Sequence, residues 1–154
     1  MTSILLVQGA NMAHLGRREP EIHGVTTTAE LDQMLQRRGR ERGCELEIYH
    51  THTEGEAIDR IYRAADERVD GLLMNPAGFI HAGYALRDCL RSMRFPYVEV
   101  HISNVHGRED FRHVSLLADR AVGTLVGLGT AGYRYALDFA ANHTVAPAGG
   151  AAQR

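Results

Sequence analysis

Apolar and polar positions follow two different periods along this chain, and their order predicts its elements. Ser3 to Gln8 (SILLVQ) is a short apolar run ending at Gly9, the pattern of a buried strand. Glu45 to Tyr49 alternates with a period of two, as a half-buried strand does. Gly71 to Met74 is a third strand, and Tyr97 to His101, entered through Pro96, is a fourth, rich in β-branched and aromatic residues. Val122 to Leu128 is a fifth apolar run. Between these lie helical patterns. Thr27 with Glu30 three residues later forms a capping-box pattern ahead of Leu31, Met34 and Leu35. Thr53 to Glu56 predicts a second cap, ahead of an apolar stripe of Ala57, Ile58, Ile61, Tyr62 and Ala65. Helices over about His81 to Met93 and over Tyr133 to Asn142 complete the set.

Strands alternating with helices of about 10–15 residues imply βαβ units around a parallel sheet. Five such units suit an α/β, flavodoxin-like three-layer sandwich with a five-stranded parallel sheet. Residues 1–143 form one domain in this reading, and 144–154, rich in Ala, Gly and Pro, are expected to be a disordered tail.

Two stretches fit neither period. Gly9 to Gly24 (GANMAHLGRREPEIHG) mixes Arg, Glu and His with Met12, Leu15 and Ile22, which suggests an ordered lid. After His101 the chain runs into ISNVHGREDFR, with Ser103, Arg108 and Arg112. Asn11, Arg18 and His23 follow strand one, Asn75 and His81 follow strand three, and the loop after His101 follows strand four. All three groups fall at the carboxyl edge of the sheet, where open α/β sheets bind ligands. Arginine holds a carboxylate through paired charge-assisted bonds, while Asn, Ser and His bond hydroxyls, so the ligand class is a small polyhydroxylated carboxylate. Glu99, two residues before His101 on the same strand face, can orient that imidazole as a general acid.

Composition removes other classes. With 154 residues and 44 % hydrophobic content the chain is long enough for one packed domain. Its net charge of −2 offers no attraction to nucleic acid or an anionic membrane, the arginines between Arg37 and Arg42 read as a solvated helix face, and no apolar run approaches a membrane span. Cys44 and Cys89 lie far apart without metal-ligand spacing, and read as reduced and buried in a cytoplasmic protein. No metal is expected despite nine His, because none shows zinc-site spacing; His50 and His52 would share a strand face. Gly127-Leu128-Gly129-Thr130-Ala131-Gly132 matches G-x-G-x-x-G, but no later strand carries the acidic residue a dinucleotide site needs, so it reads as a structural turn. A phosphoacceptor reading fails too, since strand one ends in Gln8, Gly9 and Asn11 without acids.

The blocks Gly16-Arg17-Arg18-Glu19-Pro20-Glu21, Glu54-Gly55-Glu56, Ala85-Leu86-Arg87-Asp88, Glu99 to His106 and Gly127-Leu128-Gly129 give the chain, from Ile4 to about His143, a resemblance to the type II 3-dehydroquinate dehydratases. That resemblance implies a flavodoxin-like subunit assembled through trimers into a dodecamer, and cofactor-free anti elimination of water from 3-dehydroquinate to 3-dehydroshikimate through an enolate. Carried over, it makes Arg18 the lid arginine supporting the base, and Asn11 and Asn75 the holders of the water or oxygen that stabilises the enolate. His101, oriented by Glu99, becomes the acid. His81, Ile102, Ser103 and Arg112 become substrate anchors, and Asp88 reaches a neighbouring subunit's site.

The chain also departs from the family. The lid pattern R-E-P-x-x-Y-G supplies a tyrosine base, whereas here Arg18-Glu19-Pro20-Glu21-Ile22-His23-Gly24 places His23 at that position. The usual N-G-P-N-L-N-L-L-G has become Gln8 to Gly16 (QGANMAHLG), T-H-T-S has become Ile80-His81-Ala82-Gly83, and S-Y has become Ser115-Leu116. Imidazole starts near pKa 6.5 and phenol near 10, so neutral His23 is available as a base at pH 7. Three readings follow: a dehydratase using His23 or another base, a diverged enzyme acting on a related carbonyl substrate, and a non-catalytic binding or assembly protein.

Overall fold

The computed structural model describes residues 1–143. The expected tail, 144–154, lies outside them. Five parallel strands form one sheet in the order β2-β1-β3-β4-β5: β1 Thr2–Ala10, β2 Cys44–His50, β3 Gly71–Ala77, β4 Tyr97–His101 and β5 Gly123–Val126. This is the expected three-layer α/β sandwich, with its topological switch between β1 and β3.

Strand periodicity divides the core. Ile4 and Leu6 of β1, Leu73 of β3, and Val98 and Val100 of β4 pack on one face, with Leu31 and Leu35 of α2 (Thr28–Glu41) and Tyr133, Ala136 and Leu137 of α6 (Ala131–Asn142). Leu5, Val7, Leu72, Met74 and Tyr97 take the opposite face, against Ala57, Ile61 and Ala64 of α3 (Glu54–Asp66) and Leu86, Cys89 and Leu90 of α5 (Tyr84–Arg91). Neighbouring residues on one strand therefore belong to different cores. The same rule distributes the polar groups at the strand ends.

Local chemistry explains where expectation and structure agree. Thr27 caps α2 by accepting from the Glu30 N–H at 3.2 Å. Arg37 and Arg40 are exposed, while Arg38 leaves the solvated run to bond Asp138 of α6.

Four expectations need correction. Thr53 does not cap α3 through its side chain; Thr51 instead accepts from the Thr53 N–H at 2.9 Å and donates to Glu56 at 2.5 Å. The α3 stripe runs through Ala57, Ile61 and Ala64, with the buried Arg60 on the same face pairing with Glu47 and Glu67, and leaves Tyr62 and Ala65 exposed. The single helix expected over 81–93 is two: α4 (Phe79–Ala82) ends at Gly83, and α5 begins afresh with Glu54 of α3 accepting from the Leu86 N–H at 2.9 Å. His50 and His52 do not share a strand face, because β2 ends at His50, which bonds Asp32, and His52 lies beyond it, accepting from the Asn11 N–H.

The irregular stretch after β1 is ordered. A 3₁₀ turn at Met12–His14 and one helical turn, α1 (Pro20–His23), shape it, with Met12 and Leu15 buried beneath. The Thr28 hydroxyl donates to the Met12 carbonyl at 2.7 Å and ties the lid to α2. Gly9 permits the close approach of β1 to β3, because a Cβ there would stand 2.5 Å from the Pro76 carbonyl oxygen. The Gly127 turn works similarly: φ is +81° and its Cα faces Asn104 with no room for a Cβ. Those glycines shape a loop against β4, in keeping with a structural reading of the G-x-G-x-x-G match.

Candidate active site

A cleft opens at the carboxyl edge, beside the β1/β3 switch. It is lined by Asn11 and Met12, Arg18 and His23 from the lid, Asn75, Ala77 and Gly78 after β3, Ile80 and His81 of α4, and His101, Ile102, Ser103, Val105, Arg108 and Arg112 after β4. Nine of the eleven residues proposed from sequence thus share one cleft. The other two lie elsewhere. Glu99 sits behind His101, and Asp88 is exposed on α5, away from this chain's own cleft. Three arginines and three histidines line the cleft, and among the described residues no carboxylate does. Such a lining favours an anionic ligand.

Two buried polar systems support the cleft, one from each sheet face. On the α2/α6 side the Tyr133 hydroxyl donates to Gln8 Oε1 at 2.8 Å and accepts from Asn75 Nδ2 at 2.8 Å. Asn75 Nδ2 also contacts Met12 Sδ at 3.3 Å, and Asn75 Oδ1 accepts from the Ala77 N–H at 3.0 Å. Both amide donors of Asn75 therefore have protein partners. The sulfur is the weak one, and is the bond a ligand can displace. Ala77 holds a left-handed φ of 49°, as do Asn11 at 73° and Glu19 at 43°. Strained backbone of this kind borders the cleft where the lid and β3 turn into it.

On the opposite face, the period of two aligns Tyr97, Glu99 and His101. Glu99 is 1 % exposed, and its Oε2 lies 3.0 Å from His101 Nε2. Its Oε1 accepts from the Tyr97 hydroxyl at 2.6 Å and the Ser115 hydroxyl at 3.2 Å. Burial and the adjacent carboxylate push the Tyr97 phenol well above its usual range, so it stays a donor. With Nε2 engaged, Nδ1 is the His101 nitrogen left for a ligand.

The lid turn presents His23, whose side chain is 13 % exposed. Burial lowers its pKa, and the Arg18 and Arg108 charges lower it further against a smaller opposing effect from Glu19, 3.9 Å away. His23 Nδ1 is buried without a hydrogen-bond partner among the described residues. A neutral imidazole in this setting can accept a proton. His81 is held down likewise, by burial and then by Arg112. Its ring meets Phe111 edge-on at 5.0 Å.

Arg108 is the site residue to which the sequence assigned no role. It bonds Ser103 Oγ at 3.1 Å and biases both His23 and His81. Its position within the polar loop was visible, but its reach back to the lid was not. Tyr97 and Ser115 were missed as partners of Glu99, although Tyr97 stands two residues before it on one strand face. Among the described residues, no group of three His, Cys, Asp or Glu is placed to hold a metal ion.

Fold and cleft together define an α/β protein with an arginine- and histidine-lined cleft suited to a small anion. The chain belongs to the class II dehydroquinase family: that family's model matches residues 2–141. It is 49 % identical to a 3-dehydroquinate dehydratase of Ectopseudomonas mendocina, over 91 % of this chain and 95 % of the relative. A catabolic 3-dehydroquinase of Debaryomyces hansenii is 43 % identical over 90 % and 96 % of the two chains. The crystal structure of a type II dehydroquinase from Propionibacterium acnes superposes with a TM-score of 0.89 at 41 % identity, covering 92 % of this chain and 97 % of that one.

Proposed function

We propose that this protein is a hydro-lyase that converts 3-dehydroquinate to 3-dehydroshikimate by anti elimination of water. The observation that carries the reading is the cleft itself: two imidazoles from different elements, His23 of the lid and His101 of the sheet edge, face one arginine-lined space. Neutral His23 removes the proton beside the substrate carbonyl, and the electron pair passes into an enolate. Collapse of the enolate expels the hydroxyl β to the carbonyl, and His101, held by Glu99, protonates it as it leaves. The carbonyl supplies the electron sink, so the chemistry calls for no cofactor. Burial, and then Arg18 and Arg108, lower the proton affinity of His23 and help return its proton once it is charged. Arg112, His81, Ser103 and Ile102 anchor the carboxylate and hydroxyls. Asn11 and Asn75 hold the enolate oxygen or its water.

The wider setting follows the same reading. The substrate is a polyhydroxylated carboxylate, the subunits assemble through trimers into a dodecamer, and Asp88 serves a neighbouring subunit's cleft. No helix among the described residues is long and apolar enough to cross a membrane.

The test is a direct assay of 3-dehydroquinate turnover, followed by the absorbance of the conjugated enone product. Wild type turns over, His101→Ala loses the reaction, and His23→Ala loses about 10²-fold or more in kcat. A wild type that neither binds nor converts 3-dehydroquinate overturns the proposal.

A further inference from the structure

Among the buried groups outside the cleft, Tyr97 is joined to His101 through the carboxylate of Glu99. Its hydroxyl donates to Glu99 Oε1 at 2.6 Å, while Glu99 Oε2 faces His101 Nε2 at 3.0 Å. Ser115 adds a second, longer bond to Oε1 at 3.2 Å, and its oxygen also accepts from the Leu117 and Ala118 N–H groups at 3.2 Å. Three side chains converge on one carboxylate, and only His101 among them borders the cleft. Tyr97 itself is 3 % exposed and packed in the α3/α5 core.

We propose that Tyr97, seconded by Ser115, is a positioning residue that fixes the carboxylate of Glu99 and thereby sets the orientation and proton affinity of His101. The inference rests on the assignment of His101 as the general acid. Glu99 alone can turn its carboxylate about the terminal χ3 torsion, and either oxygen could meet the imidazole. A donor locked in the core on Oε1 reserves Oε2 for His101. It also draws electron density from the carboxylate, which weakens the pull of Glu99 on an imidazolium proton. Tyr97 thus works in both directions, holding the acid in place and letting it release its proton more readily. The other charged or titratable groups facing the same cleft are Arg18 and His23 of the lid, His81 of α4, and Arg108 and Arg112 of the loop after β4. None of them bonds Glu99, whose side-chain partners among the described residues are Tyr97, Ser115 and His101.

The experiment compares wild type, Tyr97→Phe and Ser115→Ala by two readouts on the full-length protein. The first is the pH titration of His101 by ring-labelled histidine NMR, assigned with His101→Ala. The second is the pH profile of kcat. In Tyr97→Phe the His101 midpoint moves up by about half a pH unit or more, and the alkaline limb of kcat moves with it. The plateau of kcat falls about 5- to 20-fold with KM little changed, because an unlocked acid is misdirected more often. Ser115→Ala moves the same quantities in the same direction by less, as its longer bond requires. The His23 and His81 midpoints stay in place. A His101 midpoint unmoved in Tyr97→Phe overturns the proposal, as does an equal shift of all three histidines, which would signal general distortion. Should wild type prove inactive on 3-dehydroquinate, the functional reading fails while the titration still decides the linkage.

Discussion

The Tyr133 hydroxyl donates to Gln8 Oε1 at 2.8 Å, joining the last helix to the first strand across 125 residues of chain. Through Asn75 the same hydroxyl reaches the cleft floor. Burial pushes the Tyr133 phenol well above its ordinary range, so it works as a neutral hydrogen-bonding group. In Tyr133→Phe both Gln8 and Asn75 lose a partner in a dry environment, at a cost of about 1–3 kcal/mol. Urea unfolding checks it. A midpoint unchanged from wild type would show the network to be idle.

As the proposed base, His23 is expected to set the acid side of the pH profile. Its pKa is lowered from 6.5 by burial and then by Arg18 and Arg108. The active form is neutral, so activity is lost as pH falls through a value below 6.5. In His23→Tyr the base must instead be driven to tyrosinate from near 10, and the acid limb moves to higher pH. A wild-type profile still rising between pH 7 and pH 9 would rule out His23 as the base.

Arg108 acts twice in the cleft. Arg108→Gln removes one of the charges that depress His23, so the acid limb shifts upward toward pH 6.5, although burial, the larger cause, and Arg18 still hold it below. The variant also loses a partner for the substrate anion, and KM rises about tenfold. Steady-state kinetics across pH separates the two effects. An unchanged limb with a raised KM would confine Arg108 to binding.

Gly9 tests the β1/β3 seam. A Cβ at this position would lie 2.5 Å from the Pro76 carbonyl oxygen and 2.9 Å from that of Asn75, both backbone atoms. Gly9→Ala therefore forces the two strand ends apart, with a destabilisation of about 1–3 kcal/mol and a displaced Asn75. Lower thermal stability together with reduced kcat is the expected result. Wild-type values of both would mean the seam yields freely.

Much of this architecture was legible in the chain because it rests on local periodicity. Tyr97 to His101 was delimited as a strand to the residue, since an apolar and aromatic run after Pro96 has few other uses. The Thr27 cap was equally readable, as donor and acceptor lie within three residues. Polar residues after β1, β3 and β4 could be gathered at one sheet edge before any coordinates, because parallel strands all end on the same side. Local pattern failed where a distant group intervenes. Thr51 supplies what Thr53 was expected to supply, and Glu54 caps α5 from another helix, so the break at Gly83 was hidden.

By itself the sequence determined the α/β class, the order of elements, and the identity of the groups that meet at the carboxyl edge, because strand period and side-chain chemistry are properties of short segments. Tertiary structure alone decided which of those groups touch. It set Arg108 toward the lid, closed Tyr133 onto Gln8 and Asn75, and placed Ser115 beside Tyr97 on Glu99. Each of these contacts depends on how helices and loops far apart in the chain pack against two opposite faces of one sheet, and no local pattern encodes that distance.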